Sequence, residues 1–243
     1  MSYYDLGISA LAATVAEVST LPICIVKTNY QNSNTDSILK TIKRIYFPDK
    51  AEVSGGLRAF YRASVPSVAS QVFSTSSKYV LYRYFGKYSD YTVLNGLASG
   101  ICSSLVCHPI DVIRVHKQMN TPLPSMTTKV LYRGYSKTFF KAALGSCLFF
   151  PLYDFYYKKT ENSLIAGFGS AVTSTTIMQP MDYLKTRHMY GQKLYHGWNS
   201  YYTLKPYYKG LTLNLARIVP HFMITMYVIH IGTHLGTNLT EKQ

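Results

Sequence analysis

The sequence predicts an all-α membrane protein of six transmembrane helices, built from three copies of one helix pair. Three observations carry that prediction: long runs without charge, one proline-centred pattern that recurs three times, and basic residues gathered in alternate loops. A search for internal repeats comes first because a repeat fixes the architecture before any single element is assigned.

Four runs are long enough to cross a bilayer core as helices. Tyr91 to Ile110 and Ser163 to Met181 contain no Asp, Glu, Lys or Arg, Ile8 to Val26 contains only Glu17, and Ile218 to Leu235 is again uncharged. Two further segments, Ser64 to Phe85 and Tyr135 to Tyr157, are rich in aromatics but carry Lys78, Lys137 and Lys141. Hydropathy alone does not select these two; the repeat does. Pro22-Ile-Cys-Ile-Val-Lys27, Pro109-Ile-Asp-Val-Ile-Arg114 and Pro180-Met-Asp-Tyr-Leu-Lys185 share the form Pro-x-(acid)-x-x-(base), with the acid replaced by Cys24 in the first. Downstream, Phe60-Tyr61-Arg62-Ala63, Leu131-Tyr132-Arg133-Gly134 and Tyr207-Tyr208-Lys209-Gly210 each open the next membrane segment. That these prolines merely end helices is the simpler alternative, but it leaves the acid and base at fixed offsets unexplained. The repeats divide the chain at 1–88, 89–160 and 161–243.

The chain carries 25 Lys plus Arg against 11 Asp plus Glu, a formal net charge of +14. Such a balance suits nucleic acid or an anionic membrane surface. Its distribution separates the two. Residues 27–63, 114–133 and 185–209 hold 7, 4 and 5 basic residues against 3, 0 and 0 acids, whereas the remaining termini and links hold 5 against 5. All three longer loops therefore share one side of the membrane. A soluble nucleic-acid binder has no need of such segregation. Cys24, Cys102, Cys107 and Cys147 lie in apolar stretches without CxxC spacing, so the expectation is buried small hydrophobes, with no metal site and no disulfide framework. The N-terminal MSYYDLGIS has neither secretory-signal nor transit-peptide character.

The thrice-repeated Pro-x-acid-x-x-base pattern, followed each time by an aromatic-basic-small element, resembles the mitochondrial carrier family across essentially the whole chain. Gln31 and Gln118, nine residues after their prolines, Gly96-xxx-Gly100 and Arg217-Ile-Val-Pro220 agree with it. The resemblance implies a threefold pseudo-symmetric barrel in the mitochondrial inner membrane, with the basic loops in the matrix, and a monomer. It also implies a matrix gate of ion pairs between neighbouring odd helices: Asp111 with Lys185, and Asp182 with Lys27. Because Cys24 replaces the first acid, Arg114 is expected to lose its partner and to weaken that gate. The opposite gate is degraded, with Tyr153-Asp154 recognisable but Tyr82-Arg83 and Tyr227-Val228 off pattern. The acidic-Gly element survives only as Gly55-Gly56.

Family substrate contacts fall seven and eight residues beyond the small residue of each aromatic-basic element, here Ser70-Gln71, Lys141-Ala142 and Arg217-Ile218. Two are cationic. Lys78 lies about two turns beyond Ser70, and Lys137 one turn before Lys141, where snorkelling to an interface is the better reading. Glu17 is open to several roles: pairing with a cavity lysine, accepting from a base or sugar, carrying a coupling proton, or a locally hydrogen-bonded or protonated carboxyl. An electropositive cavity with aromatic partners points to exchange of nucleotides or deoxynucleotides by alternating access, with carboxylates or keto acids as the alternative substrates. Ala142 departs from the Gly-aliphatic pair seen in many nucleotide carriers. A carrier-fold receptor or scaffold that no longer transports is the rival class. No nucleotide-binding loop, metalloprotease or nucleophile-elbow pattern supports an enzyme, and no cofactor is implied. Cardiolipin is expected at the helix starts beside Arg62, Arg133 and Lys209.

Overall fold

Each predicted membrane segment becomes one long helix. The computed structural model describes residues 3–33, 37–48, 55–88, 91–123, 125–192 and 205–240. In chain order the helices are α1 (Tyr3–Asn32), α2 (Ile38–Tyr46), α3 (Ser64–Phe85), α4 (Thr92–Gln118), α5 (Thr128–Leu131), α6 (Tyr135–Thr160), α7 (Ser163–Tyr190) and α8 (Leu211–Thr240). Short 3-10 helices at Leu57–Tyr61 and Lys205–Tyr208 precede α3 and α8. The described residues contain no strand. The two aromatic-rich segments that hydropathy passes over are α3 and α6. Among the described residues, two helices are long and apolar enough to cross a membrane by length and composition alone, Ala10–Asn32 and Leu94–Gln118.

Consecutive long helices pack on one another, α1 on α3, α3 on α4, α4 on α6, α6 on α7 and α7 on α8, and α8 returns to α1. The result is a closed ring. Across its middle α1, α4 and α7 also touch pairwise, while α3, α6 and α8 do not pack on one another to a comparable extent. Counting the six long helices alone, α1, α4 and α7 are the odd members and α3, α6 and α8 the even ones, and the odd members draw the ring together.

None of the three repeat prolines ends its helix. Pro22, Pro109 and Pro180 lie inside α1, α4 and α7, which run on to Asn32, Gln118 and Tyr190. Proline deletes one i→i−4 hydrogen bond and crowds the preceding turn, which bends a helix that tertiary contacts hold intact. Those contacts are present here. Leu21, Cys24, Ile25 and Val26 form a core with Ile45, Ala59 and Ala63, and Val112 and Val115 of α4 pack with Met189 of α7.

Helix α2 lies within the first long loop, where no helix was expected. Ile38, Ile42 and Ile45 line one face against the α1 core, at the four- and three-residue spacing of an amphipathic helix. The cysteine expectation is half right: Cys24 and Cys107 are buried but Cys102 is exposed, and the side chain of Cys147 lies outside the described residues.

Candidate functional site

The ends of α4, α7 and α1 are tied by the residues that open the even helices. Arg62 donates to the Gln118 carbonyl at 3.1 Å, Arg133 to Gly191 at 3.3 Å and Lys209 to Ser33 at 2.7 Å. A cation set against carbonyls at a helix C-terminus satisfies orphan acceptors and complements the macrodipole. Gly134 and Gly210 hold the adjoining corner at φ +82° and +86°, a left-handed conformation that costs an L side chain roughly 1–2 kcal/mol. Ala63, at the equivalent place, has φ −104°, which explains why a residue with a Cβ stands there.

Beyond this belt sits a cluster of eight charged groups and the hydroxyl of Ser70. Asp182 of α7 accepts from Lys27 of α1 and from Lys141 of α6. Asp111 of α4 accepts from Lys185 of α7 at 3.0 Å and from Ser70 of α3 at 2.5 Å. Glu17 of α1 accepts from Arg114 of α4 through one oxygen, and from Arg217 of α8 at 2.5 Å through the other. The two ion pairs named from the resemblance, Asp111 with Lys185 and Asp182 with Lys27, are thus present.

The expectation for Arg114 is corrected. It does not stand without a carboxylate, because Glu17 supplies one and the Cys24 thiol lies 3.6 Å from the same guanidinium nitrogen. Position 17 lies seven residues before 24, two helical turns on the same face, about 10 Å along the axis. The sequence contained the signal, a lone acid in an otherwise uncharged run. It could not say which of several cations the carboxylate would meet.

Each acid takes one partner from an odd helix and one from an even helix. Ser70, Lys141 and Arg217, the first residues of the three contact pairs, are the even-helix partners. Their second residues, Gln71, Ala142 and Ile218, are half-buried, and Ile218 lines a cavity of about 220 Å³ with Lys141, Asp182 and Asn214. A neighbouring cavity of about 140 Å³ is lined by Cys24, Asp111, Arg114, Lys185 and Arg217. Lys78 is exposed, and no ion pair joins it to the described residues.

Neutral side chains extend the cluster. Lys27 also donates to Asn214 at 2.9 Å, and Asn214 donates to Gln179 at 3.0 Å. Thr28 donates to the Gln118 side chain at 2.6 Å, and Asn29 to the Gln118 carbonyl at 2.8 Å, fastening α1 to α4. Thr28, Asn29, Gln179 and Asn214 were not singled out from sequence, since buried amides and hydroxyls carry no pattern until their partners are known. At the opposite mouth Tyr153 stacks on Tyr157 at 6.0 Å, whereas Tyr82, Asp154 and Tyr227 are exposed.

Taken together, five cations meet three carboxylates in a mostly buried space at the convergence of the long helices. Such an arrangement attracts anions.

Comparison with known proteins agrees with this geometry. Residues 2–92 and 157–235 match the family described as "Mitochondrial carrier protein". The chain is 49% identical over 234 residues to a mitochondrial carrier-like protein of Acanthamoeba polyphaga mimivirus, covering 93% of this chain and 94% of that one. It is 24% identical over 275 residues to mitochondrial thiamine pyrophosphate carrier 1 of Meyerozyma guilliermondii, covering 94% and 92%. With a mitochondrial arginine transporter of Arabidopsis thaliana it shares 24% identity over 202 residues, covering 69% and 66%. The chain therefore belongs to the mitochondrial carrier family, whose members are multi-pass transporters of metabolites in the mitochondrial inner membrane and not enzymes.

Proposed function

We propose that this protein exchanges nucleotides or deoxynucleotides across the mitochondrial inner membrane by alternating access. In this reading α1, α3, α4, α6, α7 and α8 all span the membrane. They form a threefold pseudo-symmetric barrel of repeats 1–88, 89–160 and 161–243, which acts as a monomer. The observation that carries the reading is the excess of cations over acids in the buried cluster: Lys27, Arg114, Lys141, Lys185 and Arg217 against Glu17, Asp111 and Asp182. A polyphosphate supplies the missing negative charge. Arg217 adds a planar donor suited to paired phosphate oxygens, and Lys141 a point charge.

The odd-helix bases and acids form the matrix gate, while Ser70, Lys141 and Arg217 meet the substrate with Gln71, Ala142 and Lys78 close by. When the anion takes over the even-helix cations, Asp182 and Glu17 each lose one of their two partners and the gate is weakened from within. A ligand shifts such an equilibrium only by its differential affinity for the two states, and exchange of partners provides that difference. Thiamine pyrophosphate, named for one relative, combines an aromatic ring with a diphosphate, as a nucleotide does. Cardiolipin would sit on the matrix side beside Arg62, Arg133 and Lys209, and no cofactor takes part.

The test is uptake of labelled ATP and dATP into liposomes carrying the purified protein, with and without internal nucleotide. Uptake is expected to require internal nucleotide and to fall at least tenfold in Lys141→Ala and Arg217→Ala, the loss attached to about 1.4 kcal/mol of binding. A folded wild-type protein that takes up no nucleotide refutes the substrate assignment.

A further inference from the structure

We propose that Glu17 is the gate carboxylate that position 24 lacks, displaced two turns along α1, and that from there it also serves as a built-in anion holding Arg217 until substrate takes its place. The proposal deepens the transport reading and rests on it for the second role only.

The pattern of partners carries the argument. In the two complete repeats, the acid two residues after the proline receives one base from the next odd helix and one contact-point side chain from an even helix: Lys185 and Ser70 on Asp111, Lys27 and Lys141 on Asp182. An acid at position 24 would complete the set with Arg114 and Arg217. Glu17 receives those two groups instead. Its side chain is wholly buried, at 0% exposure, so its placement is decided by these partners and not by solvent. The vacated position is still within reach, because Cys24 Sγ stands 3.6 Å from Arg114 Nη2.

The choice of base fits the displacement. Lysine stands at positions 27 and 185, where the acid is in register, and arginine stands at 114, where it is not. A guanidinium is longer than an ammonium arm and presents several donors in a fork. At 114 the nitrogen Nη2 of this longer arm meets both the thiol of Cys24 and the carboxylate of Glu17.

The displacement changes the level from which the acid acts. Moved away from the gate level and toward the level of the substrate contacts, Glu17 still meets Arg217 with its second oxygen, and Arg217 Nε is buried without an acceptor among the described residues. Arg217 also lines the cavity of about 140 Å³. A phosphate in that cavity offers more acceptor oxygens than one carboxylate and competes with Glu17 for the guanidinium. In the first repeat, substrate arrival and release of the gate pair become one exchange of anions at a shared acid.

The experiment moves the charge back. Wild type, Glu17→Gln, Glu17→Gln with Cys24→Asp, and Glu17→Gln with Cys24→Ser are purified in mild detergent. Each is followed by thermal unfolding without ligand, and by chloride efflux from liposomes without nucleotide. Glu17→Gln is expected to lower Tm and raise chloride efflux. Adding Cys24→Asp is expected to recover most of both changes, and Cys24→Ser, which carries no charge, to recover neither. Equal behaviour of the Asp and Ser double variants, both folded by circular dichroism, overturns the gate role; so does a Glu17→Gln protein that melts and leaks as wild type does. The anion role is read separately, as the concentration of ATP that half-saturates the Tm shift. With no acid at 17 or 24 to hold Arg217, the Glu17→Gln, Cys24→Ser protein is expected to need at least threefold less ATP than wild type. An unchanged or higher requirement overturns that role. Absence of any ATP shift in wild type sinks the nucleotide reading while leaving the charge-relocation result to stand or fall by itself.

Discussion

Asp182→Asn removes the one carboxylate that holds two ammonium groups, from Lys27 and Lys141, and its effect can be sized from their surroundings. Asp182 is 7% exposed and Lys27 9%, so both are desolvated, whereas the Lys141 side chain is 37% exposed and regains water. Breaking a buried pair from one side costs about 3–5 kcal/mol. Lys27 keeps its bond to Asn214 at 2.9 Å, which places the loss near the lower limit, about 3 kcal/mol. For a chain of this size that corresponds to a fall in Tm of roughly 6–12 °C. Asp111→Asn strands only one ammonium, and the Asp111 side chain is 22% exposed, so about half that loss is expected. Because the penalty comes from orphaned charge, adding Lys27→Met to Asp182→Asn should recover part of it. Unfolding followed by intrinsic fluorescence in mild detergent measures all four proteins. A Tm for Asp182→Asn within about 2 °C of wild type, or a larger fall for Asp111→Asn, would refute the view that the doubly paired acid is the stronger fastening.

Two further outcomes follow from the corner that joins each odd helix to the next even one. At Gly210, φ is +86° and an added Cβ would stand 3.1 Å from the Gln31 side chain; at Gly134, φ is +82° and the nearest contacts are at 3.4 Å. Both alanine variants should lose roughly 1–2 kcal/mol from backbone conformation, with Gly210→Ala the worse of the two in thermal unfolding; Ala63→Gly should lose far less. Arg62→Met removes a donor from the Gln118 carbonyl but keeps much of the apolar stem, so unfolding should register a loss of about 0.5–2 kcal/mol, and an unchanged Tm would argue that water replaces the contact.

The number and position of the long helices were legible in the amino-acid sequence, because a repeat converts three individually weak patterns into one strong one. Its hydropathy would have missed α3 and α6, whose lysines lower the average. The aromatic-basic elements that open them recovered both. The ion pairs Asp111–Lys185 and Asp182–Lys27 were legible for the same reason: acid and base stand at fixed offsets on corresponding helices. Helix α2 was legible in principle from Ile38, Ile42 and Ile45 but is short and lies inside a loop defined by its charge.

The partner of each charge that departs from the repeat became visible in the folded chain alone. Glu17 and Arg114 are 97 residues apart, and Glu17 and Arg217 are 200 apart; no periodicity links them, and the meeting depends on how the ring closes α8 onto α1. Likewise, Ser70, Lys141 and Arg217 stood out in sequence as contact points, but their engagement with Asp111, Asp182 and Glu17 emerges only when six helices converge. Local patterns state which groups a helix offers. Electrostatics in a desolvated space, where every buried charge requires a neighbour, then selects among offers from distant segments.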